Sequence, residues 1–479
     1  MAVNELAKEY CRPTIDIEHK LGMASFEELR QLLQEEPQRL NTVSRIVLND
    51  KEIWIDRLGQ EIVRNSDKER ETAQDYLAQE AINRPGHYDL VQDIAYGMPL
   101  MDINCRVAVL VPAWLEEDNL PRFLAEFEDQ LDESGSTINR SFYEINILVN
   151  RKEGDQTDNS IKIIKDFVHE HPWGPLINYY DVELPEPFNN VGYARKLLTD
   201  ATLLRSISRL EQNGCLYIQS EDADTISIDR QQIIKVINKM DSQPHLDALK
   251  GQQDRMPEYL MQNDMLFLSC RLRDFLEAIM SRKKYRNPQD KNWNFSWNRI
   301  VTGGWNTVFS AEAYALAGGY SSVYSGEDMD LGNKITAVRG DGTYPNLEVI
   351  GRLPTRAEGS PRRFINQIKK GKDAYEDFSD ENDNLTIRTL SVEEGLQEIS
   401  HLQRIDSSTI PILNRFAKGL FEDFKDVNVV GDNRGEVMES LMFWLGFEKD
   451  DYTIREDGID INNWDNVRNK IEQYRQNRR

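Results

Sequence analysis

The chain has 479 residues and a formal net charge of −24 at pH 7, a length that allows two or three domains with a sizeable core. So acidic a chain is not expected to bind nucleic acid or an anionic membrane surface, because both are held through clustered Lys and Arg side chains. Its four cysteines lie far apart without CxxC spacing, so neither a disulfide framework nor a zinc site is indicated.

Residues 1–100 are predicted to form a helical N-terminal region. Segments 26–33 and 53–63 place apolar residues at the spacing of an amphipathic helix, and Ser25 can cap the first of them. The N-terminus lacks an apolar signal core, and no apolar stretch approaches the roughly 18 residues of a membrane span. We therefore expect a cytoplasmic protein without a transmembrane segment.

From residue 105 onward, apolar runs typical of strands alternate with helical segments. Strands are predicted at residues 107–111, 143–150, 176–184 and 215–220, and helices at residues 119–131, 160–171 and 192–211. Strands separated by helices of this length pair in parallel through right-handed crossovers. Residues 101–365 are therefore predicted to form an α/β domain with a mostly parallel sheet, whose ligands bind beyond the carboxyl ends of the strands. Cys105 and Cys215 open two of the apolar runs and are predicted to be buried thiols.

The remaining residues, 366–479, are predicted to form a mostly helical C-terminal region. Their pattern is polar and helical, and residues 438–447 form their strongest apolar segment. This segment indicates that the region packs as a small helical domain.

The motif SEDADT places Asp222 and Asp224 just beyond the strand predicted at residues 215–220. Two carboxylates at positions i and i+2 can approach a hard divalent cation while a diphosphate supplies further oxygen atoms. The alternative is an acidic loop or a helix N-cap, which Asp and Thr also favour.

The motif VPAWLEE stops the first strand at Pro112 and opens onto Glu116 and Glu117. Such a turn is a place where a nucleotide base and ribose can bind. The alternative is an ordinary loop between a strand and a helix, because acidic residues suit the first turn of a helix.

The motif SGEDMDL clusters Glu327, Asp328 and Asp330 ahead of a helical segment. A carboxylate held beside a sugar can act as the general base that deprotonates an acceptor hydroxyl. The alternative, a helix N-terminus rich in acidic residues, is compatible with that role, because the start of a helix fixes the position of the carboxylate.

Basic residues near these motifs are candidates for binding phosphate. Arg195 and Lys196 lie at a predicted helix start, where a phosphate is favoured. A solvated face is the alternative for each candidate. A further set of arginines follows the third acidic motif and could hold a diphosphate: Arg352, Arg356, Arg362 and Arg363.

The motif TGGWNTVF offers a contact for a sugar. Gly303 and Gly304 permit close approach of the backbone, and the indole face of Trp305 suits a sugar ring. The alternative is a turn with a buried tryptophan.

Taken in order, VPAWLEE, NNVGYARK, SEDADT, GGWNTVF–GGYSS and GEDMDL resemble the GT-A-fold glycosyltransferases of the large family 2 type. The resemblance covers roughly residues 105–361, about half of the chain. It implies that Pro112, Ala113 and Glu116 line a nucleotide pocket and that Arg195 lies near the diphosphate.

The same resemblance assigns the acidic motifs. It implies that Asp222 and Asp224 form the DxD motif, with Asp224 the more direct metal ligand. Asp328 would be the base of a single-displacement, inverting transfer, and Glu327 would support it or contact the acceptor.

The chain departs from the family pattern at two places. Relatives often carry an Asp that reads the base after the second strand, where this chain has Asn150, Arg151 and Lys152, so uracil, guanine and other bases stay open. Lys196 stands where an Asn is usual. The GEDMDL segment also resembles that of retaining GT-A enzymes that glycosylate small acids such as glycerate, so a retaining transferase making a small soluble glycoside is an alternative.

The sequence therefore predicts a glycosyltransferase that uses Mn²⁺ or Mg²⁺. It would move a sugar from a nucleotide-sugar donor, held in part by Gly304 and Trp305, to a hydroxyl of a saccharide or small molecule. Outside enzymes, the alternative is a catalytically silent scaffold that binds nucleotide sugars, against which the intact set of Asp222, Asp224 and Asp328 argues. The N-terminal helices are candidates for partner binding or for assembly of a homo-oligomer.

Overall fold

The computed structural model describes most of the chain between residues 44 and 477. The described ranges are 44–48, 51–55, 61–154, 157–172, 174–209, 213–255, 257–260, 262–267, 270, 304–323, 326–338, 349–370, 391–402, 448–455 and 458–477. Within these ranges, none of the helices combines the length and the apolar character that crossing a membrane requires.

The N-terminal region combines a β-hairpin with two helices: β1 (Ser44–Leu48), β2 (Lys51–Ile55), α1 (Ser66–Asn83) and α2 (Pro85–Gly97). The helix predicted at residues 53–63 is therefore wrong at both described ends, since Ile53 pairs with Ile46 across the hairpin and residues 61–63 are not helical. Half of the ten strand residues are β-branched or aromatic, and their extended pairing overrides the helical spacing. The helix predicted at residues 26–33 lies outside the described residues.

The central sheet has eight strands among the described residues, in the order β5-β4-β3-β6-β9-β8-β10-β7. Their bounds are β3 Val107–Ala113, β4 Tyr143–Lys152, β5 Leu176–Leu184, β6 Tyr217–Ser220, β7 Thr225–Ile228, β8 Ala248–Arg255, β9 Thr307–Ser310 and β10 Ile350–Gly359. β3 pairs in parallel with β4 and with β6, and β4 pairs in parallel with β5. β8 and β10 are also parallel, whereas β9 runs antiparallel to β6 and β8, and the edge strand β7 runs antiparallel to β10. The predicted α/β fold with a mostly parallel sheet is confirmed.

Helices cover both faces of this sheet. Their bounds are α3 Leu120–Glu128, α4 Ser160–Glu170, α5 Val191–Ile207, α6 Gln232–Ser242, α7 Pro257–Leu260, α8 Ala311–Leu316 and α9 Glu327–Val338. Alternate residues of β3 enter two separate cores: Ala108 and Leu110 pack with α1, α2, α5, α8 and α9, whereas Val109 and Val111 pack with α3, α4 and α6. All seven residues of β3 are buried, as predicted for a continuous apolar run.

The described C-terminal elements are helical apart from one antiparallel strand pair. They are α10 Arg362–Lys370, α11 Val392–Glu398, β11 Tyr452–Arg455, β12 Gly458–Ile461 and α12 Trp464–Asn477. The apolar segment at residues 438–447 lies outside the described residues. The domain boundaries at residues 100 and 365 stay a prediction.

Candidate active site

Four strands bring segments that carry predicted site residues to one edge of the sheet. β3 and β6 are parallel, so the segments that follow Ala113 and Ser220 leave the sheet at the same edge. β9 is antiparallel to β6 with Thr307 opposite Ser220, so the turn at residues 304–306 precedes β9 at this edge as well. β10 also ends here, where the backbone N–H of Ser360 donates to the carbonyl oxygen of Asp224 at 3.1 Å. This is the carboxyl edge at which sheets of this kind bind ligands.

Arg195 on α5 joins the second acidic motif to the third. Its side chain is only 3% exposed. Its Nε donates to Glu327 Oε1 at 3.1 Å, and its terminal nitrogens donate to Ser220 Oγ and Asp222 Oδ1. Although burial lowers the pKa of Arg195, the carboxylates of Asp222 and Glu327 raise it above the usual arginine value. Arg195 is therefore a fixed positive charge between two predicted site carboxylates.

Arg362 at the start of α10 joins the first acidic motif to the second. Its Nη2 donates to Glu116 Oε1 and Oε2 at 3.1 and 3.0 Å and to Asp224 Oδ2 at 2.9 Å. Although burial lowers the pKa of Arg362, the carboxylates of Glu116 and Asp224 raise it above the usual value. Glu116 also accepts from Asn119 Nδ2 at 2.6 Å. Arg362 is one of the four arginines that the sequence proposed after the third motif, and it contacts two predicted site residues, Glu116 and Asp224.

The third motif forms the first turn of α9, as its alternative interpretation allowed. Gly192 lets the segment before this helix pack directly on α5, because a Cβ there would lie 2.4 Å from the carbonyl oxygen of Ser321. Glu327 is buried and Asp328 half-buried, whereas Asp330 accepts from Ser321 Oγ at 2.6 Å and pairs with Lys334. Asp330 therefore has local structural partners, and Glu327 and Asp328 remain the candidates for chemistry.

The environment of Asp328 brings its titration into the neutral range. Burial and the charge of Glu327 raise its pKa to about 7, while the N–H of Met329, Arg195 and Lys250 act in the opposite direction. The Met329 N–H donates to Asp328 Oδ1 at 2.7 Å. A carboxyl with this pKa can both hold and release a proton near neutral pH.

Several predicted binding residues contribute backbone or packing. Pro112 and Ala113 are buried within β3, and Ala113 packs in the core beside α3. Trp305 is 7% exposed and packs in the same core, so the structure shows the buried tryptophan that the sequence left as an alternative. Gly304 faces the site, because a Cβ there would lie 2.8 Å from Arg195 Nη2 and 3.5 Å from Asp222 Oδ1.

Glu221 and Asn306 support the site and were missed in the sequence. Glu221 is fully buried and its Oε2 accepts from the N–H of Asn306 at 3.0 Å. Asn306 has a φ of 46°, and its Nδ2 donates to the carbonyl oxygen of Gln252 at 2.8 Å. Asn tolerates this left-handed backbone, so an Asn after Gly-Gly-Trp was a usable signal. Leu115 has a φ of 56°, a strained conformation directly beside Glu116.

The carboxylates at the strand ends have the chemistry of a divalent-cation site. Asp222 and Asp224 supply hard oxygen ligands two residues apart, and their side chains are 35% and 29% exposed. Both currently pair with an arginine, so a cation that binds here competes with a guanidinium. The donor set fits Mn²⁺ or Mg²⁺ in ligand type.

A second group with metal-ligand chemistry lies in the core beneath α5. Ligand atoms of Glu80, His87 and Asp200 lie within 4.8 Å of one another, and all three residues are buried. The Nζ of Lys196 already lies 2.9 Å from Asp200 Oδ2 and 3.2 Å from Glu80 Oε2. Because an ammonium occupies the position between these carboxylates, we interpret the group as a buried ion network. Lys196 thus points away from the carboxyl edge, which leaves Arg195 as the phosphate candidate of the pair.

Comparisons with known proteins give loose structural likenesses. No family model and no curated protein matches the chain. TarS of S. aureus is similar at 11% identity over 74% of this chain, with a TM-score of 0.34, and the chain spans 58% of its length. The mannosyltransferase PcManGT from Pyrobaculum calidifontis, in complex with GDP-Man and Mn²⁺, is similar at 12% identity over 78% of this chain and 98% of its own, with a TM-score of 0.33.

Glucosyl-3-phosphoglycerate synthase from Mycobacterium tuberculosis, in complex with Mn²⁺, UDP-Glc and phosphoglyceric acid, is similar at 14% identity over 66% of this chain and 85% of its own, with a TM-score of 0.32. Likenesses of this size do not identify a reaction.

Proposed function

We propose that the chain is a metal-dependent glycosyltransferase, which moves a sugar from a nucleotide-sugar donor to a hydroxyl of a saccharide or small molecule. One observation carries this proposal: four carboxylates and two arginines from separate segments meet through ion pairs at the carboxyl edge of the sheet. They are Glu116, Asp222, Asp224, Glu327, Arg195 and Arg362. Carboxylates for a cation and guanidinium groups for a diphosphate are the two charge types that a sugar nucleotide requires.

The residues around β3 and β6 bind the donor. Asp224, supported by Asp222, holds Mn²⁺ or Mg²⁺, and when bound this cation neutralises charge on the leaving diphosphate. Arg195 and Arg362 bind phosphate oxygens, for which a planar guanidinium is well suited. The backbone at Pro112 and Ala113, together with Glu116, borders the nucleotide, and Gly304 allows the donor to approach Arg195 closely.

Asp328 takes the proton of the acceptor hydroxyl as this oxygen attacks the anomeric carbon. Its half-buried position and its pKa of about 7 suit a general base at neutral pH. Glu327, held by Arg195 at 3.1 Å, keeps a negative charge beside Asp328 and so maintains the basicity of that carboxylate. A single displacement with this base inverts the configuration of the sugar.

A thermal-shift panel of UDP, GDP, ADP, CDP and dTDP with their sugars, each with Mn²⁺, Mg²⁺ or EDTA, tests the donor. A ligand at about 100 times its Kd stabilises the native state by about 2.7 kcal/mol. We expect a shift with one nucleotide that disappears in EDTA. If no nucleotide shifts the melting temperature with either metal, the proposed function is wrong.

The turnover of Asp328→Asn is then measured with the donor that the thermal-shift panel identifies. We expect turnover to fall by about 10²- to 10⁴-fold, because the amide cannot accept the proton, while the metal-dependent thermal shift is kept. Unchanged turnover would remove Asp328 from the role of base. The anomeric configuration of the product decides between the inverting transfer and the retaining alternative.

A further inference from the structure

We propose that Arg362 exchanges Asp224 for a phosphate when the nucleoside diphosphate binds, and that this exchange releases Asp224 to the divalent cation. This inference rests on the proposed function and concerns how one arginine couples two ligands within the same site. It follows from the carboxylates that Arg362 contacts.

Arg362 holds carboxylates of two motifs through one nitrogen atom. Its Nη2 lies 3.0 Å from Glu116 Oε2 and 2.9 Å from Asp224 Oδ2. The side chains of Arg362 and Glu116 are 6% and 5% exposed, whereas that of Asp224 is 29% exposed. Asp224 is therefore the exposed end of the pair, and its Oδ2 is engaged by the guanidinium.

A cation that takes Asp224 without a diphosphate meets an unfavourable arrangement. Arg362 would lose its ion pair with Asp224 while it remains largely buried, and it would lie close to a second positive charge. Burial keeps the repulsion between the two cations poorly screened by water. The cation alone is consequently expected to bind weakly.

A nucleoside diphosphate removes this obstacle. Its phosphate oxygens offer the displaced guanidinium an anionic partner of the geometry that Arg prefers. Arg362 then leaves Asp224 to the cation while it keeps Glu116 as its neighbour. Because coupling between two ligands is reciprocal, the cation strengthens nucleotide binding by the same factor.

The test is a Mn²⁺ titration of the full chain, in which unbound aqua Mn²⁺ is measured by electron paramagnetic resonance without nucleotide, with UDP and with GDP. For the parent chain we expect the nucleotide to tighten Mn²⁺ binding by on the order of 10-fold or more, within the usual range of couplings. In Arg362→Gln we expect Mn²⁺ alone to bind several-fold tighter and the effect of nucleotide to fall several-fold below that in the parent chain; the part that remains comes from phosphate oxygens that ligate the cation directly.

Lys369→Gln is the matched control, since Lys369 lies exposed on the same helix, pairs with Glu398 and gives the identical change in net charge. It should couple the two ligands like the parent chain. Arg362→Lys provides a second variant if Arg362→Gln unfolds, because it keeps the positive charge and loses the planar guanidinium that binds phosphate. The coupling between Mn²⁺ and nucleotide should also fall in this variant.

The outcomes separate the two proposals. If neither UDP nor GDP, nor any other nucleotide of the thermal-shift panel, binds the parent chain with a metal, the proposed function fails and this inference fails with it. If Mn²⁺ and a nucleotide both bind but the coupling factor is unchanged in Arg362→Gln and Arg362→Lys, the exchange by Arg362 is overturned and the proposed function stands.

Discussion

Gly304 is a residue whose missing side chain makes room for Arg195. A Cβ at this position would lie 2.8 Å from Arg195 Nη2, closer than real Cβ contacts, and the flexible end of the arginine is what would move. We expect Gly304→Ala to weaken nucleotide binding by about 10-fold, since a displaced guanidinium loses a charge-assisted hydrogen bond. Calorimetric titration with the nucleotide found in the thermal-shift panel measures this loss.

Gly86→Ala is the control for this substitution. Nothing lies within 4 Å of a Cβ at Gly86, which is part of α2. Its nucleotide affinity should match that of the parent chain, and its stability should stay equal or rise, because Ala favours a helix more than Gly. Equal affinities for Gly304→Ala and the parent chain would show that Arg195 does not hold the diphosphate.

At the scale of single residues, the sequence predicted the candidate carboxylates but not which arginines pair with them. Asp222 and Asp224 were identifiable because they follow a buried apolar run, and strand ends of parallel sheets meet. Arg362 was one of four equivalent arginines, and it lies 246 residues from Glu116, which it contacts. Only the strand order could select it, since β10 had to pair with β7, the strand that begins directly after Asp224.

At the scale of elements, a buried ion network joins α1 and α2 to α5. Lys196 on α5 is 1% exposed and lies between Asp200, on the same helix, and Glu80 on α1. His87 on α2 contacts Asp200 through Nε2 at 2.8 Å, and the hydroxyl groups of Tyr76 and Tyr314 donate to Asp200. Although burial raises the pKa of Asp200, Lys196 and His87 lower it below the usual value.

Lys196→Met is therefore expected to destabilise the fold strongly. The substitution leaves two buried carboxylates without their ammonium, for which losses of about 3–5 kcal/mol are usual. Urea denaturation measures the loss in free energy of unfolding. Lys68→Met is the matched control: Lys68 pairs with Glu312 at 3.0 Å, but its side chain is 61% exposed, so about 1 kcal/mol or less is expected. Similar losses for both variants would contradict a structural role for the network.

Helices and strands with a strong local sequence pattern could be predicted. Strands whose position depends on pairing with distant segments could not. β5 occupies residues 176–184, as predicted, because its apolar run is bounded by turn residues. β3 continues past the predicted stop into Pro112, which is tolerated because β6 pairs with β3 only as far as Leu110. The four-residue strand β9 had no readable signal, since its antiparallel place between β6 and β8 depends on partners distant in sequence.

At the scale of the whole molecule, the N-terminal helices share the core of the central sheet. Leu77 of α1 and Ile94 of α2 belong to the same cluster as Leu198 of α5 and Leu110 of β3. The sequence predicted a separate N-terminal region from the change in pattern near residue 100. It could not reveal this packing, because two buried acidic residues of α1 take part in it, and composition alone places such residues at the surface: Glu69 contacts Leu216 just before β6, and Glu80 contacts Lys196 on α5.

One of these contacts gives the stability of the whole chain a specific pH dependence. Glu69 is buried, accepts from the N–H of Leu216 at 2.9 Å, and has its pKa raised by burial from 4.5 to about 7. Between these two pH values the folded chain binds a proton at Glu69 that the unfolded chain does not. Raising the pH from 4.5 through 7 therefore removes stability, by up to about 3 kcal/mol for a shift of this size.

Glu69→Gln should abolish this part of the pH dependence, because the amide keeps an acceptor for Leu216 and cannot ionise. We expect the variant to match the parent chain near pH 5 and to exceed its free energy of unfolding at pH 8, in urea denaturation across that range. The net charge of −24 also makes the free energy of unfolding depend on pH in a general way. Glu71→Gln is the control for this general effect, because Glu71 is exposed on the same helix and the substitution removes the same charge. If the curves of Glu69→Gln and Glu71→Gln run parallel from pH 5 to pH 8, Glu69 is ionised in the folded chain throughout. The contact between α1 and β6 would then be a buried charge held by its neighbours Arg64 and Arg209, which oppose the effect of burial.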